Sequence, residues 1–173
     1  MTVELRALER DDLRFVHRLN NDSSVMTYWF DEPFESLAEL TDIYDRHIHD
    51  NRERRFVVET GGADRVQVGI VELVEIEPVH LTAEFQIIVA PDHQGKGYAS
   101  TATDLALRYA FATLNLHKVY LIVDVENAGA IHVYEKNGFA VEGTLREEFF
   151  AAGRYRNAFR MGILQRDYLE KTA

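Results

Sequence analysis

Val3, Leu5 and Ala7 alternate with polar residues, the period of a half-buried strand. Leu13, Val16 and Leu19 then recur at helical spacing behind Asp11 and Asp12, either of which can cap a helix. Met26, Tyr28, Trp29 and Phe30 fall in a segment without period, which reads as a loop. Ser36 is placed to cap a second helix that turns Leu37, Leu40, Tyr44 and Ile48 inward. Residues 55–59 and 66–76 read as strands joined through Gly61 and Gly62, and residues 81–90 as a further strand stopped by Pro91. A long helix is expected over residues 96–113, with Ala102, Leu105, Ala106, Tyr109 and Ala110 at helical spacing. The apolar run at 118–123 suits a buried strand. Residues 128–137 are helical and end at Gly138, a residue suited to the left-handed position after a helix. Two strands, around 144–150 and 158–164, close the chain through Gly153. This order predicts an α/β (layered α+β) architecture with a mixed central sheet flanked by helices. No repeat, low-complexity tract or Pro/Gly-rich linker interrupts it, so a single domain is expected over residues 1–173.

Charge sharpens the picture. The net charge is −10, and all of it lies in the first half. Residues 1–90 hold nineteen acids against nine bases, whereas residues 91–173 hold ten of each. Between residues 22 and 50 there are eight acids and only Arg46. A second acidic stretch holds Glu72, Glu75, Glu77 and Glu84 with no base between them. Such a field repels nucleic acid and anionic membrane and attracts cations; it also serves simply as a solvated surface. With no cysteine, disulfides, thiolate metal sites and a cysteine nucleophile are excluded. No apolar run approaches the roughly 20 residues that span a bilayer, and six charges in the first twelve residues argue against a secretory signal. A cytoplasmic protein is expected.

The sharpest chemical signal is Gln94-Gly95-Lys96-Gly97-Tyr98-Ala99, directly after an expected strand and directly before an expected helix. Glycines there expose successive backbone N–H groups, and the helix start adds the positive end of its dipole, which together seat a pyrophosphate. Lys96 offers a charge-assisted contact. The spacing is neither that of the Walker loop nor that of the dinucleotide fingerprint. Without a ligand the same glycines would simply turn the chain.

Gln-x-x-Gly-type spacing after a strand resembles the acetyl-CoA motif of the GNAT N-acetyltransferase superfamily, and the order of elements is similar to that fold. The resemblance narrows at Tyr28-Trp29-Phe30, His47-Ile48-His49-Asp50, residues 54–59, Glu84-Phe85-Gln86-Ile87-Ile88, His93 to Gly97, Asn115-Leu116 and Glu148-Phe149-Phe150. These look like bacterial spermidine/spermine N-acetyltransferases, over about residues 4–169.

That resemblance implies roles. Backbone groups of Ile87, Ile88 and Val89 would pair with the pantetheine arm of acetyl-CoA like an added strand. Gln94, Gly95, Lys96, Gly97, Tyr98, Ala99 and Ser100 would hold the pyrophosphate, and Asn127 and Lys136 would mark the far end of the cofactor. Tyr134 would be the general acid for the departing thiolate; taken alone, it reads as a core aromatic on a helix near Ile131 and Phe139. Glu84, Phe85 and Gln86 would line the acceptor side. Physically, the acceptor amine is almost wholly protonated near pH 7 and must lose a proton before it attacks. A carboxylate acting through water is the natural acceptor. Glu84 suits either that task or the holding of a polyamine.

The resemblance further implies an allosteric polyamine site between subunits, formed by Met26, Asp31, Glu35, Glu39, His47, Ile48, His49 and Asp50. It implies a Mg²⁺-type site at Asp31 and Glu75, and a homo-oligomer, a dodecamer. Oxygen donors suit such a cation, although the relatives carry Glu where this chain has the shorter Asp31. Glu35, Glu39 and Asp42 are spaced to share a helix face, at a repulsive cost of roughly 0.2–0.5 kcal/mol per pair that a bound polycation would relieve. On a continuous helix His47 and His49 would lie about 200° apart, too far to share a metal. The reading that follows is transfer of an acetyl group from acetyl-CoA to spermidine or spermine. Two alternatives stay open: acetylation of a protein N-terminus or lysine, and a weakly active polyamine sensor.

Overall fold

The computed structural model describes residues 2–29 and 33–172. In chain order the elements are β1 (Val3–Ala7), α1 (Leu13–Asn20), α2 (Ser23–Met26), α3 (Leu37–His47), β2 (Arg54–Thr60), β3 (Gln67–Glu77), β4 (Thr82–Val89), α4 (Tyr98–Arg108), β5 (Lys118–Asp124), α5 (Ala128–Asn137), β6 (Ala140–Ala151), β7 (Arg154–Leu164) and α6 (Gln165–Thr172). The strands form one seven-stranded sheet in the order β1-β2-β3-β4-β5-β7-β6. Neighbours are antiparallel except β4 and β5, which run parallel.

Alternation along the strands feeds two cores. Ile70 and Ile88 face one side of the sheet and pack with Leu13, Phe15, Val16, Leu19, Met26 and Leu40. Val71, Leu73, Ala83 and Phe85 face the other side, against Ala102, Ala106, Leu107 and Phe111. Successive side chains on a strand point to opposite faces, so each strand residue near the centre belongs to one helical layer or the other. The helices thus cover both faces of a mixed sheet, as the element order predicts.

Several local expectations change. Asp12 stands at the N-cap position of α1 without a side-chain bond into that helix, and a 3₁₀ turn at Arg10–Asp12 precedes it, where the Asp12 carboxylate accepts from the Glu9 N–H at 2.8 Å. Asp12 is buried, bound by Arg6 at 2.9 Å and by Gln67. Ser36 does cap α3, in a capping box with Glu39. Glu35 therefore precedes the helix and shares no helical face with Glu39, whereas Glu39 and Asp42 both lie on α3. Glu39 in the first turn is instead held by Ser36, which draws its carboxyl below the usual range. Ile48 follows the end of α3 and is exposed rather than inward. The long helix starts at Tyr98 and finishes in a π turn, Tyr109–Thr113. α2 and α6 are additional elements.

Candidate functional site

The sheet opens in its middle. β4 and β5 pair at only three positions, Thr82 with Lys118, Ala83 with Val119 and Glu84 with Tyr120. Beyond that point β4 stays bonded to β3 as far as Val89, and β5 stays bonded to β7 as far as Asp124. The two strands part, and the edge of β4 from Phe85 to Val89 lines the gap. An ideal Cβ on Gly69 of β3 would lie 2.3 Å from the Ile88 carbonyl oxygen, so that carbonyl faces β3. Alternation then turns Ile87 and Val89 toward the gap. The Val89 carbonyl already accepts a bond from Gln94 Nε2 at 3.1 Å, leaving the Ile87 groups and the Val89 N–H as the outward edge.

Where β4 ends, the glycine loop begins. Gly95 has φ +71° and Gly97 φ +82°, both in the left-handed region, and a Cβ at either would meet nothing within 4 Å. Gly97 is the residue that opens α4. The orphan N–H groups of the first turn, from Tyr98, Ala99 and Ser100, therefore stand next to the open space around these glycines. The Tyr98 side chain is buried in the core. Lys96 bends back to donate to the Asp92 carbonyl at 2.7 Å. Ser100 Oγ accepts from Asn137 Nδ2 at 3.2 Å, which ties the start of α4 to the end of α5. Asn127 caps α5 by accepting from the Ala130 N–H at 3.1 Å, and Lys136 is exposed near the other end of that helix.

Two groups flank the fork from opposite faces. Glu84 lies on the face that carries Gln86 and Ile88, and Gln86 Nε2 donates to it at 3.0 Å. Tyr120, its register partner on β5, has its hydroxyl pushed up by burial and then by the charge of Glu84, against the pull of Arg160. The neighbouring Phe85 points to the other face. There it meets Tyr134 of α5 edge-on at 6.2 Å, and both rings touch Phe139. A rim of Tyr134 is accessible, yet protein surrounds the phenol and burial pushes its pKa far up. Among the described residues no group hydrogen-bonds its hydroxyl.

Three acids of the first half, Glu35, Glu39 and Asp42, meet at a second place. A cleft of about 520 Å³ is lined by Asn20, Met26, Trp29, Phe34, Glu35, Glu39, Asp42, Ile43 and Arg46. Asn20 Nδ2 donates to Glu35 Oε2 at 2.9 Å, and His17 and Asn21 both donate to the Glu35 carbonyl. Met26 is buried there and belongs to the core as well. His47, Ile48, His49 and Asp50 do not line this cleft. They sit at the far end of α3, where His47 Nδ1 donates to Glu53 at 3.1 Å and Asp50 pairs with Arg52. His49 lies beyond the helix, so the helical angle between the two histidines does not apply.

Asp31 lies outside the described residues. Glu75 is exposed, with φ +49° at the irregular end of β3. Among the described residues no group of three or more His, Asp and Glu is arranged to hold a metal ion. Among the described residues, no helix is long and apolar enough to cross a membrane.

Sequence reasoning overlooked Asn20, Asn137 and the buried Arg156–Asp124 pair. Asn20 and Asn137 stand on helices as ordinary polar residues, and only tertiary placement brings them to the cleft and the fork.

Comparison with known proteins agrees with this geometry. The acetyltransferase (GNAT) domain profile matches residues 2–140. The spermidine N(1)-acetyltransferase of Escherichia coli (strain K12) is 60% identical over 168 residues, 97% of this chain and 89% of that one. A crystal structure of spermidine N-acetyltransferase from Vibrio cholerae in complex with CoA and spermine superposes with a TM-score of 0.93 at 59% identity, covering 96% of this chain and 98% of that one. The spermidine/spermine N-acetyltransferase from Vibrio cholerae in complex with manganese ions gives a TM-score of 0.87 at 57% identity, covering 99% and 97%.

Proposed function

The chain belongs to the GNAT acetyltransferase family, and from that premise we infer that it transfers the acetyl group of acetyl-CoA to a primary amine of spermidine or spermine. The observation that carries this reading is the fork between β4 and β5 opening onto the glycine loop. A long, thin co-substrate with a pyrophosphate fits such a seat. The arm takes the place of a strand beside Ile87 and Val89, and the pyrophosphate lies on the N–H groups from Gln94 to Ser100 at the start of α4. Ile88, whose carbonyl faces β3, contributes its side chain to the core rather than a bond to the arm.

Acetyl-CoA supplies an activated thioester, so the amine attacks directly and the protein needs no nucleophile. Glu84 and Tyr134 stand on opposite faces of the sheet at the fork. On the acceptor face Glu84, supported by Gln86, holds the ammonium and takes its proton, directly or through water. On the other face Tyr134 donates to the departing sulfur, and its unpartnered hydroxyl is free to do so. Phe85 separates the two groups and holds Tyr134 in place. Asn127 and Lys136 stand at either end of α5 on the cofactor side.

Polyamine also acts as an effector in this reading, bound at the cleft of Glu35, Glu39 and Met26, with Asp31 and residues 47–50 completing the site in an assembled oligomer. The acids gathered around Asn20 support this, as does the spermine complex of the relative. A dodecamer, a single catalytic domain and a cytoplasmic setting belong to the same reading.

The test is a thiol-release assay with spermidine, spermine, putrescine and a lysine peptide. Turnover on spermidine and spermine well above that on the peptide is expected. Preference for the peptide, or no turnover on any amine, overturns the assignment.

A further inference from the structure

Arg156 on β7 is buried, and its side chain is 4% exposed. It is also the meeting point of three parts of the chain. Its Nη1 donates to the backbone carbonyl of Thr27 at 3.2 Å. Its guanidinium lies over the ring of Tyr28 at 5.4 Å and over that of Phe149 on β6 at 5.6 Å. Its Nη2 pairs with Asp124, which is fully buried, and with Glu126 at 3.0 Å. Asp124 is the last residue of β5. It accepts from the Glu126 N–H at 2.9 Å through its side chain and from the Asn127 N–H at 3.0 Å through its carbonyl. Asn127 in turn caps α5, the helix of Tyr134. One planar cation therefore joins the turn that follows Met26 to the turn that starts α5.

We propose that Arg156 is a positioning residue that couples polyamine occupancy of the Met26–Glu35–Glu39 cleft to the setting of α5 and its Tyr134 hydroxyl. The proposal rests on the effector reading above. Two features make the residue suited to carry a change rather than only to fill space. First, its bond to this turn is to the backbone carbonyl of Thr27, so a shift of the backbone there is felt whatever side chains move. Second, its Nε is buried with no hydrogen-bond acceptor among the described residues. Buried donors are nearly always paired, so a second arrangement of the turn that brings a carbonyl to Nε gains a bond. Lysine would keep the charge for Asp124 but, as a point charge on a flexible stem, would lose the planar stack and the fork that serves two directions at once.

The experiment compares the wild type with Arg156→Lys. Rates are measured against spermine, and acetyl-CoA affinity is measured by calorimetry with and without spermine. The wild type should be sigmoidal in spermine, and spermine should change its acetyl-CoA affinity by about fivefold or more, the usual lower size of allosteric coupling. Arg156→Lys should melt as a folded protein, bind acetyl-CoA without spermine within about twofold of wild type, become hyperbolic, and lose the spermine effect on affinity. A purely structural role would lower the active fraction and leave the shape of the curve unchanged. A sigmoidal Arg156→Lys with wild-type response overturns this proposal alone, whereas a hyperbolic wild type overturns the effector reading and this proposal together. Should Arg156→Lys fail to fold, Glu126→Ala decides. It removes the exposed arm of the link, and is expected to reduce the Hill coefficient part-way; unchanged sigmoidality in that variant overturns the coupling.

Discussion

The Tyr134 phenol is crowded by protein at a point where a leaving thiolate would form, and burial raises its pKa far above the ordinary value near 10. The hydroxyl is therefore fully protonated throughout the neutral range. This makes it a constant hydrogen-bond donor and a reluctant source of free protons, which suits stabilisation of a charge present only in the transition state. Tyr134→Phe should lower kcat by roughly 10²–10⁴ and leave acetyl-CoA affinity within about twofold. Because the group does not titrate there, the ratio of wild-type to variant kcat should be flat between about pH 6 and pH 9. Parallel pH–rate profiles check this. A kcat near that of wild type, or a ratio that collapses toward one as pH rises, removes the role. The sign for stability follows from the same shift. Below the unfolded pKa near 10 the phenol is neutral in both states, and the native state is not penalised. Above it the unfolded chain ionises first, so stability falls on the alkaline side. Glu84, the opposite member of the proposed pair, accepts from Gln86 and is partly exposed, as a base exchanging protons with solvent would need to be.

At the level of elements, the cradle depends on two glycines whose backbone sits in the left-handed region. A β-branched residue at φ +82° costs on the order of 1–3 kcal/mol, and its side chain would enter the open space where phosphate is expected. Gly97→Val should thus weaken acetyl-CoA or free CoA binding by about tenfold or more in calorimetry, with the fold intact by circular dichroism. Unchanged affinity would remove the phosphate-cradle role from this loop. The same loop was legible in the sequence because its cause is local: glycine, strand end and helix start are contiguous. The Ser36 cap, the Gly138 helix end and the apolar β5 were legible for the same reason. α6 was not, because it shows no apolar stripe; its anchor is Tyr168, packed on Phe111 at 5.3 Å. β6 begins earlier than its pattern suggests because most of its side chains are exposed and pairing with β7 alone makes it a strand. Arg156 and Thr27 are 129 positions apart, and nothing near either residue announces the other. The fork itself was unreadable for a related reason: β4 and β5 each look like complete strands, and only their register shows where pairing stops.

Across the whole molecule, three acids of the acidic first half, Glu35, Glu39 and Asp42, face one cleft. Changing Glu35 and Glu39 together to Gln should straighten a sigmoidal spermine curve and raise the concentration needed, with acetyl-CoA binding unaltered. Gln at position 39 can still complete the Ser36 capping box, so the melting temperature should hold. Light scattering alongside the kinetics tests the assembly that the effector reading needs; a monomeric wild type, strictly hyperbolic in spermine, overturns the effector site and leaves acetyl transfer standing. The three-rung contact between β4 and β5 has one more consequence. It divides the backbone ladder into two nearly separate panels, β1 to β4 and β5 to β6, stitched at one end only. A co-substrate laid along β4 is then a structural member as well as a reactant, standing where missing rungs would be. Whatever binds only the folded form adds to its stability, and here that gain falls on the junction between the panels.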